Sequence, residues 1–311
     1  MSKTSKTIIV DQRSRRTKKS QRRRRLKLRL VMMTCSLALL SGLFLLRQIS
    51  SPWLSLLILE LIIIVVVFFE NACLRTKYVK LQSDKIDSSL KILQITDFHA
   101  NRWVLKAIFR AIDKEQPDVI VLTGDIFDGK KPDNSAAYEL IHKLPKNIPS
   151  MLIWGNHEVD YSDVFLSVKQ FVDQSSTKMI SGQTVSIGKN VAISGVDWGQ
   201  KTELKIDLNR FNLLLVHNPE TAFQVAKSNG FDLILCGHQH GGQVALPFIG
   251  GLIDAEVKIF PDLRQSPTRG LHQLGTTAVY ICSGAGFSGL PIRFNNRAQI
   301  SVIEILPTSK S

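Results

Sequence analysis

The chain is poor in cysteine, and this shortage excludes two classes of protein. Only four of its 311 residues are cysteines, they lie far apart, and none belongs to a C-x-x-C pair. A disulfide framework and a zinc knuckle are therefore excluded. We interpret the cysteines as small buried residues of a protein in a reducing compartment.

Acidic residues are also scarce, with 26 against 40 basic ones, but the imbalance is confined to one end of the chain. Residues 1–30 hold thirteen Lys and Arg and a single acid, Asp11, so twelve of the fourteen net positive charges lie there. The rest is close to neutral, which argues against a long nucleic-acid partner. We interpret residues 1–29 as a basic, disordered tail that holds the N-terminus on the cytoplasmic side of a membrane. The alternative is nucleic-acid binding by the Arg22–Arg25 cluster.

Two long apolar runs follow this tail. Residues 30–46 read LVMMTCSLALLSGLFLL and residues 53–69 read WLSLLILELIIIVVVFF, and each is just long enough to span a bilayer. The break between them ends in Pro52, so the pattern predicts a transmembrane hairpin of a multi-pass cell-membrane protein with its catalytic domain in the cytoplasm. A single span would place that domain on the extracellular face instead. Glu60 is costly inside a bilayer, which leaves a partly interfacial second helix open.

Beyond a linker at residues 71–89, short apolar runs alternate with amphipathic segments. Runs rich in Ile, Leu and Val predict buried strands at 90–99, 118–125, 150–156, 212–218 and 232–240. Helical periodicity occurs at 101–115, 133–144, 161–175 and 219–230, and glycines at 178–200 indicate β-hairpins. This order predicts an α/β domain over residues 90–306, a four-layer αββα sandwich of two mixed β-sheets flanked by helices.

Polar residues end each of the five predicted strands. Because open α/β sheets bind ligands at the carboxyl ends of their strands, we expect these side chains to converge. Carboxylate, imidazole and amide oxygen suit divalent ions such as manganese, iron or zinc. Two such ions about 3.5–4 Å apart can clamp the attacking and leaving oxygens of a displacement at phosphorus. The candidate metal ligands are Asp97, His99, Asp125, Asn156, His217, His238 and His240.

The order of these residues resembles the calcineurin-like metallophosphoesterase superfamily over residues 90–305. The resemblance is carried by Asp97-Phe98-His99, Gly124-Asp125, Gly155-Asn156-His157-Glu158, His217 and the GHQHGGQ block at 237–243. That block and residues 268–294 more narrowly resemble a membrane-associated branch. This branch includes transmembrane proteins with a metallophosphoesterase domain and UDP-2,3-diacylglucosamine pyrophosphatase-like enzymes.

The resemblance implies two metal positions that share one bridging carboxylate, Asp125. The first would be formed by Asp97, His99, Asp125 and His240, and the second by Asp125, Asn156, His217 and His238. It also implies that His157 is catalytic, as a general acid or a stabiliser of transition-state charge. The implied cofactors are two divalent ions, Mn²⁺, Fe²⁺ or Zn²⁺.

We therefore expect a membrane-anchored dimetal phosphohydrolase that cleaves a phosphoester or pyrophosphate bond with a metal-bridged hydroxide. Its expected partner is a phosphorylated small molecule or a lipid-linked substrate such as UDP-2,3-diacylglucosamine. One alternative is a nucleotide or nucleic-acid phosphodiesterase, and another is a non-enzymatic membrane scaffold with a structural metal site. Arg102 and Arg293 are interpreted as surface or structural residues, with contact to a substrate phosphate as the alternative.

Overall fold

The computed structural model describes residues 5–11, 42, 52–130, 133–246, 250–251, 267–289 and 292–308. The helices are α1 (Pro52–Ala72), α2 (Arg102–Glu115), α3 (Ser135–Lys143), α4 (Asn156–Val159), α5 (Ser162–Asp173) and α6 (Pro219–Ala226). The first strands are β1 (Ser5–Asp11), β2 (Arg75–Ser83), β3 (Leu90–Ile95), β4 (Val119–Thr123), β5 (Ser150–Ile153), β6 (Thr177–Met179), β7 (Thr184–Ile187) and β8 (Val191–Gly195). The later strands are β9 (Lys201–Asp207), β10 (Phe211–Leu215), β11 (Leu233–Cys236), β12 (Ala245–Leu246), β13 (Gly250–Gly251), β14 (Gly270–Leu274), β15 (Thr277–Ile281) and β16 (Gln299–Pro307).

Most of these strands form two six-stranded sheets. The first has the order β2-β16-β3-β4-β5-β6, and the second has the order β14-β15-β11-β10-β8-β7. In the first sheet only the β16–β3 pair is antiparallel. In the second, the edge strands β7 and β14 are antiparallel to their neighbours, and the central strands are parallel. The predicted α/β class with mixed sheets is therefore confirmed.

Successive side chains of the central strands face different apolar layers, as the pleat of a strand requires. Val121 of β4 and Leu213 of β10 lie in one shared core between the two sheets. Leu122 packs on the other side of the first sheet, against α2, α3 and α5. Leu214 packs on the other side of the second sheet, against α6. The layers thus run helix, sheet, sheet, helix, and the apolar runs are continuous because both strand faces are buried.

Nine of the nineteen residues predicted as a linker at 71–89 form a strand. β2 forms the edge of the first sheet and pairs in parallel with β16, from Arg75 beside Gln299 to Ser83 beside Pro307. Val79 is buried in the core between the sheets. The linker interpretation is wrong here because the pairing partner lies more than two hundred residues further along the chain, where no local pattern reveals it.

Seven residues of the tail predicted to be disordered also form a strand. β1 pairs antiparallel with β9, from Ser5 beside Asp207 to Asp11 beside Lys201. Ile8 and Val10 are buried in the apolar layer that contains α6. The expectation of disorder is therefore wrong for residues 5–11, where two alternate apolar side chains outweigh the polar composition. The remaining tail residues, 12–29, lie outside the described residues.

Among the described residues, none of the helices combines the length and the apolarity that crossing a bilayer requires. The predicted span 53–69 falls within α1, and the predicted span 30–46 lies outside the described residues except for Gly42. The predicted transmembrane hairpin and multi-pass location are therefore not supported.

Candidate metal centre

The candidate ligands lie in turns that follow five strands, and the two sheets contribute to one cluster. The first sheet supplies Asp97 and His99 after β3, Asp125 after β4 and Asn156 after β5. The second sheet supplies His217 after β10, and His238 and His240 after β11. Six of these side chains belong to sets whose ligand atoms lie within 4.8 Å of one another. All seven residues are buried.

Five of the seven have a left-handed backbone conformation, which L-residues seldom adopt. The φ angles are 49° at Asp97, 46° at His99, 53° at Asp125, 70° at His238 and 49° at His240. Each such residue costs about 1–2 kcal/mol relative to a right-handed conformation. Backbone bonds across the turns hold this arrangement, with His99 N donating to Asp125 O at 3.0 Å and Asp97 N to Gly124 O at 3.0 Å. Hydrogen bonds between the turns therefore hold the backbone that carries these side chains.

One glycine makes the close approach of these turns possible. A Cβ on Gly124, whose φ is +89°, would lie 2.6 Å from His217 Nδ1 and 2.8 Å from the Gly155 backbone. Glycine therefore lets the turn after β4 pack directly against one candidate ligand.

The first group of candidate ligand atoms belongs to His99 and to the three residues around it, His240, Asp125 and Asp97. His99 Nε2 lies 3.2 Å from His240 Nε2 and 3.6 Å from Asp125 Oδ2. His240 Nε2 lies 3.4 Å from Asp97 Oδ1. Two imidazole nitrogens and two carboxylate oxygens thus face one another within the reach of a single cation, and this donor set suits a divalent ion.

The second group lies on the other side of Asp125. His217 Nε2 is 3.2 Å from Asp125 Oδ2, the same oxygen that faces His99, and His238 completes this set. Asn156 Oδ1 is buried without a hydrogen-bond partner among the described residues. A buried acceptor left unpaired costs about 1–3 kcal/mol, and a cation would satisfy it. Asp125 therefore lies in position to serve both groups.

The ionisation of this cluster reflects burial and charge together. Burial raises the pKa of Asp97 to about 6 and lowers the pKa of His99 to about 4. Burial opposes protonation of His217, but the neighbouring Asp125 carboxylate raises the pKa of His217 to about 9. A protonated imidazole thus supplies the positive charge that the carboxylates require. Divalent ions displace protons from such sites.

His157 lies beside these groups. Its ring meets that of His99 edge-on, with centroids 4.4 Å apart, and its backbone N donates to Asp125 Oδ1 at 2.8 Å. Its Nδ1 lies 2.8 Å from Asp128 Oδ1, and its Nε2 lies 3.4 Å from Ser288 Oγ. A carboxylate at Nδ1 fixes the orientation of the ring, so Nε2 is the atom available to a reacting group.

Two further carboxylates support the site, and the sequence analysis assigned neither of them a role. Burial opposes ionisation of Asp128, but hydrogen bonds from His157 and His99 hold its pKa well below the usual range. Glu158 accepts from the backbone N–H groups of Asp125, Ile126, Phe127 and Gly155 at 2.6–3.0 Å. Glu158 therefore joins the turns after β4 and β5. The available signals were a second acid three residues after Asp125 and an acid two residues after Asn156.

The structure gives both candidate arginines a structural contact. Arg293 is fully buried and donates to the carbonyl oxygens of Ser283 and Gly286, and its Nη2 lies 3.4 Å from His240 Nδ1. Arg102 is exposed and pairs with Glu139 at 3.1 Å. These contacts favour the structural interpretation for Arg293 and the surface interpretation for Arg102.

Comparison with known proteins identifies one family. A model described as calcineurin-like phosphoesterase matches residues 90–242. The chain is 31% identical over 237 residues to the uncharacterized metallophosphoesterase YkuE of Bacillus subtilis, an alignment that covers 70% of this chain and 80% of the relative. It is 29% identical over 230 residues to the phosphodiesterase YaeI of Escherichia coli, covering 70% and 82% of the two chains. Among solved structures, a dimetal phosphatase from Danio rerio aligns with a TM-score of 0.44 and 12% identity, over 71% of this chain and 99% of that one.

Proposed function

Because the chain belongs to the calcineurin-like phosphoesterase family, whose members hydrolyse phosphoesters with metal ions, we propose that seven of its side chains hold two divalent ions. The proposed ligands of one ion are Asp97, His99, Asp125 and His240, and those of the other are Asp125, Asn156, His217 and His238. The donor types favour manganese, iron or zinc.

The observation that carries this proposal is the position of one oxygen. Asp125 Oδ2 lies 3.6 Å from His99 Nε2 and 3.2 Å from His217 Nε2, so one carboxylate faces both groups. Carboxylates that bridge two ions are a feature of dimetal phosphoesterase chemistry, in which bound ions supply Lewis acidity and activate water.

His157 is the proposed catalytic residue. Asp128 holds its Nδ1, so the protonated ring can donate from Nε2 to the leaving-group oxygen of a substrate. The backbone N–H of His157 also donates to Asp125, which ties the position of the ring to the proposed bridging ligand. The proton donor and the metal ligands are thus fixed relative to each other.

A substrate panel with metal analysis tests the proposal. The full chain, stripped with a chelator, is assayed on bis-p-nitrophenyl phosphate, p-nitrophenyl phosphate and a nucleotide pyrophosphate, with and without added Mn²⁺. We expect turnover of at least one substrate that appears only with the metal, and about two ions per chain. Turnover that is independent of metal, or absent on every substrate with the centre loaded, would contradict it. The name of the E. coli relative makes the diester the first substrate to try.

We further propose that the natural substrate is presented at a lipid surface. The support is α1, where Leu57, Leu61 and Val65 follow one another at helical spacing and are each more than half exposed. Contiguous exposed apolar side chains mark contacts with an apolar partner. The test compares turnover of a lipid-linked pyrophosphate in vesicles by the full chain and by a Leu57→Gln, Leu61→Gln double variant. We expect lower turnover by the variant on vesicles and equal turnover on a soluble diester, whereas equal turnover on both would refute this part.

A further inference from the structure

A polar cleft of about 220 Å³ lies apart from the metal centre, where the end of α1 meets an edge of the sandwich. Three arginines line it, Arg75, Arg269 and Arg297, together with Glu70, Asn296 and Gln299. Arg75 begins β2, the edge strand of the first sheet, and Arg269 precedes β14, the edge strand of the second. Arginines from three separate parts of the chain thus line the same cleft. None of the proposed metal ligands lines it.

The positive charge in this cleft is not balanced. Glu70 is the only acid among the described residues that line it, and it already accepts the backbone N–H of Asn296 at 3.1 Å and lies 3.9 Å from Arg297 Nε. In the part of the chain that the structure describes, Arg75 and Arg269 have no carboxylate partner. Burial and the charge of Arg75 lower the pKa of Arg269, so the two guanidinium groups repel each other. An anion between them would relieve this repulsion.

Capping of α1 does not account for these arginines. The carbonyl oxygens of the last turn already accept hydrogen bonds, Phe69 O from Cys73 N and Glu70 O from Ala298 N. Asn71 O accepts from the side chain of Asn101. Since these acceptors are satisfied, the helix end needs no arginine for its hydrogen bonds.

We propose that this cleft binds a phosphate group that is distinct from the one hydrolysed at the metal centre. Guanidinium groups recognise phosphate through paired charge-assisted hydrogen bonds. The cleft is smaller than the roughly 300–1,000 Å³ of pockets that enclose drug-sized ligands, so it accommodates a single anionic group and leaves the rest of the ligand outside.

The surroundings of the cleft suit either a soluble phosphate compound or the headgroup of a phospholipid. Arg297 lies over the ring of Phe69, 4.0 Å from its centroid, at the end of the helix that carries the exposed apolar side chains Leu57, Leu61 and Val65. A phosphate with an acyl chain would thus meet cations in the cleft and apolar surface beside it. Asn296 also connects the cleft with the metal centre, because its side chain accepts from Arg269 and donates to His240 O.

Binding of inorganic phosphate to the metal-free protein tests the proposal without relying on catalysis. The full chain is treated with a chelator, so that phosphate cannot bind through metal ions, and titrated by calorimetry. We expect Arg75→Gln and Arg269→Gln each to raise the Kd about tenfold, the effect of losing one strong charge-assisted contact. Arg110→Gln in α2, an exposed arginine without an ion pair among the described residues, is the matched control and should leave the Kd unchanged.

Vesicle binding distinguishes the two sources of phosphate. Full-length wild type and the three variants are sedimented with phosphatidylcholine vesicles that either contain or lack phosphatidic acid. The basic tail is present in every variant, so only the difference between Arg75→Gln and Arg110→Gln reports the cleft. Loss of phosphatidic-acid-dependent binding in Arg75→Gln supports a lipid headgroup, and loss in the phosphate titration alone supports a soluble compound.

The proposal is overturned if Arg75→Gln and Arg269→Gln match Arg110→Gln in both assays, or if wild type binds neither probe. Unchanged melting temperatures of the variants establish that they fold, which is expected because neither arginine belongs to an apolar core cluster. Neither assay involves turnover, so these outcomes are independent of the metal-centre proposal.

Discussion

Asp125 faces both groups of ligand atoms in the candidate metal centre. One carboxylate oxygen accepts from the backbone of His157 at 2.8 Å, and the other faces His99 and His217. Nearby imidazoles and the hydrogen bond from His217 hold its pKa well below the usual range in spite of burial. The side chain is thus kept ionised at the point where the two groups of ligand atoms meet.

Asp125→Asn should therefore abolish metal-dependent activity while it preserves the shape of the site. The amide is nearly isosteric with the carboxylate, but it lacks the charge that a bridging position requires. We expect turnover to fall by at least about 100-fold, the upper end of the range for residues that merely support metal ligands, and the bound metal to fall below two ions per chain. Asp173→Asn, on the exposed side of α5, is the matched control. Full activity and metal content in Asp125→Asn would refute the bridging assignment. If a cellular effect of the protein survives in this variant without turnover, the protein acts as a scaffold.

Asp128→Asn tests the support that this carboxylate gives to His157. Without the carboxylate at Nδ1, the ring loses the partner that orients it. We expect kcat to fall about 10–100-fold with KM close to wild type, and metal analysis of the variant measures any loss at His99, the proposed ligand that Asp128 also contacts. The loss should be larger for an alkyl ester than for a p-nitrophenyl ester, because a poor leaving group depends more on proton donation. An equal loss on both esters would contradict the role of His157 as a general acid.

The seven ligand candidates could be predicted from the sequence because residue type and strand position occur together at five places. Their backbone conformation could not. Left-handed φ angles at Asp97, His99 and Asp125 accompany hydrogen bonds between turns that follow different strands. The periodicity of apolar residues along the sequence contains no information on these hydrogen bonds. The pairing of Asp128 with His157 escaped prediction for the same reason, since it joins turns that follow separate strands.

At the scale of secondary-structure elements, β1 is the part of the fold that the amino-acid composition does not predict. A basic segment with few apolar residues is typical of disorder, yet Ile8 and Val10 lie on the same buried face of a strand and Ile9 between them is exposed. Pairing with β9 buries these two side chains against α6 and satisfies the exposed edge of β9. The central helices and strands, by contrast, followed their local periodicity.

Neighbouring isoleucines provide a matched test of this docking. Ile8 is 4% exposed and Ile9 is 54% exposed, so Ile8→Ala removes buried apolar surface whereas Ile9→Ala removes little. We expect Ile8→Ala to lower the free energy of unfolding by about 2 kcal/mol, the lower end for truncation of a buried isoleucine. Ile9→Ala should change it by less than about 0.5 kcal/mol.

Denaturant unfolding measures both values, and hydrogen exchange of the β9 amides shows where the change occurs. Faster exchange in β9 for Ile8→Ala alone is the expected pattern. Equal stability and equal exchange in the two variants would show that β1 does not dock on β9.

At the scale of the whole molecule, the pairing of β1 with β9 constrains the path of the chain. Two paired strands must lie in the same compartment, so the N-terminus and the candidate metal centre share one side of any membrane that the protein contacts. Among the described residues, the exposed apolar side chains of α1 form a surface that suits an apolar partner.

Metal binding should couple the centre to the stability of the entire domain, because its ligands come from both sheets. An ion that binds only the folded state adds about 2.7 kcal/mol at a concentration one hundred times its Kd. We therefore expect Mn²⁺ to raise the melting temperature of the chelator-treated wild type and to leave that of Asp125→Asn nearly unchanged. A metal-induced shift of equal size in both proteins would mean that the ion binds elsewhere.

The apparent affinity for the metal should rise with pH, because His217 must release a proton before it can bind an ion. Without an ion, His217 has a pKa of about 9, because the Asp125 carboxylate overcomes the effect of burial, whereas Asp97 has a pKa of about 6. Between these values Asp97 is ionised and His217 is protonated, so an ion must displace one proton to reach His217. The apparent affinity should then rise up to about tenfold for each pH unit in this window and level off above it. Titration of the chelator-treated protein with Mn²⁺ at about pH 7 and at about pH 8 measures this slope. An affinity that is constant or falls over that interval would show that His217 releases no proton on binding, and His217 would then have to be removed from the proposed ligands.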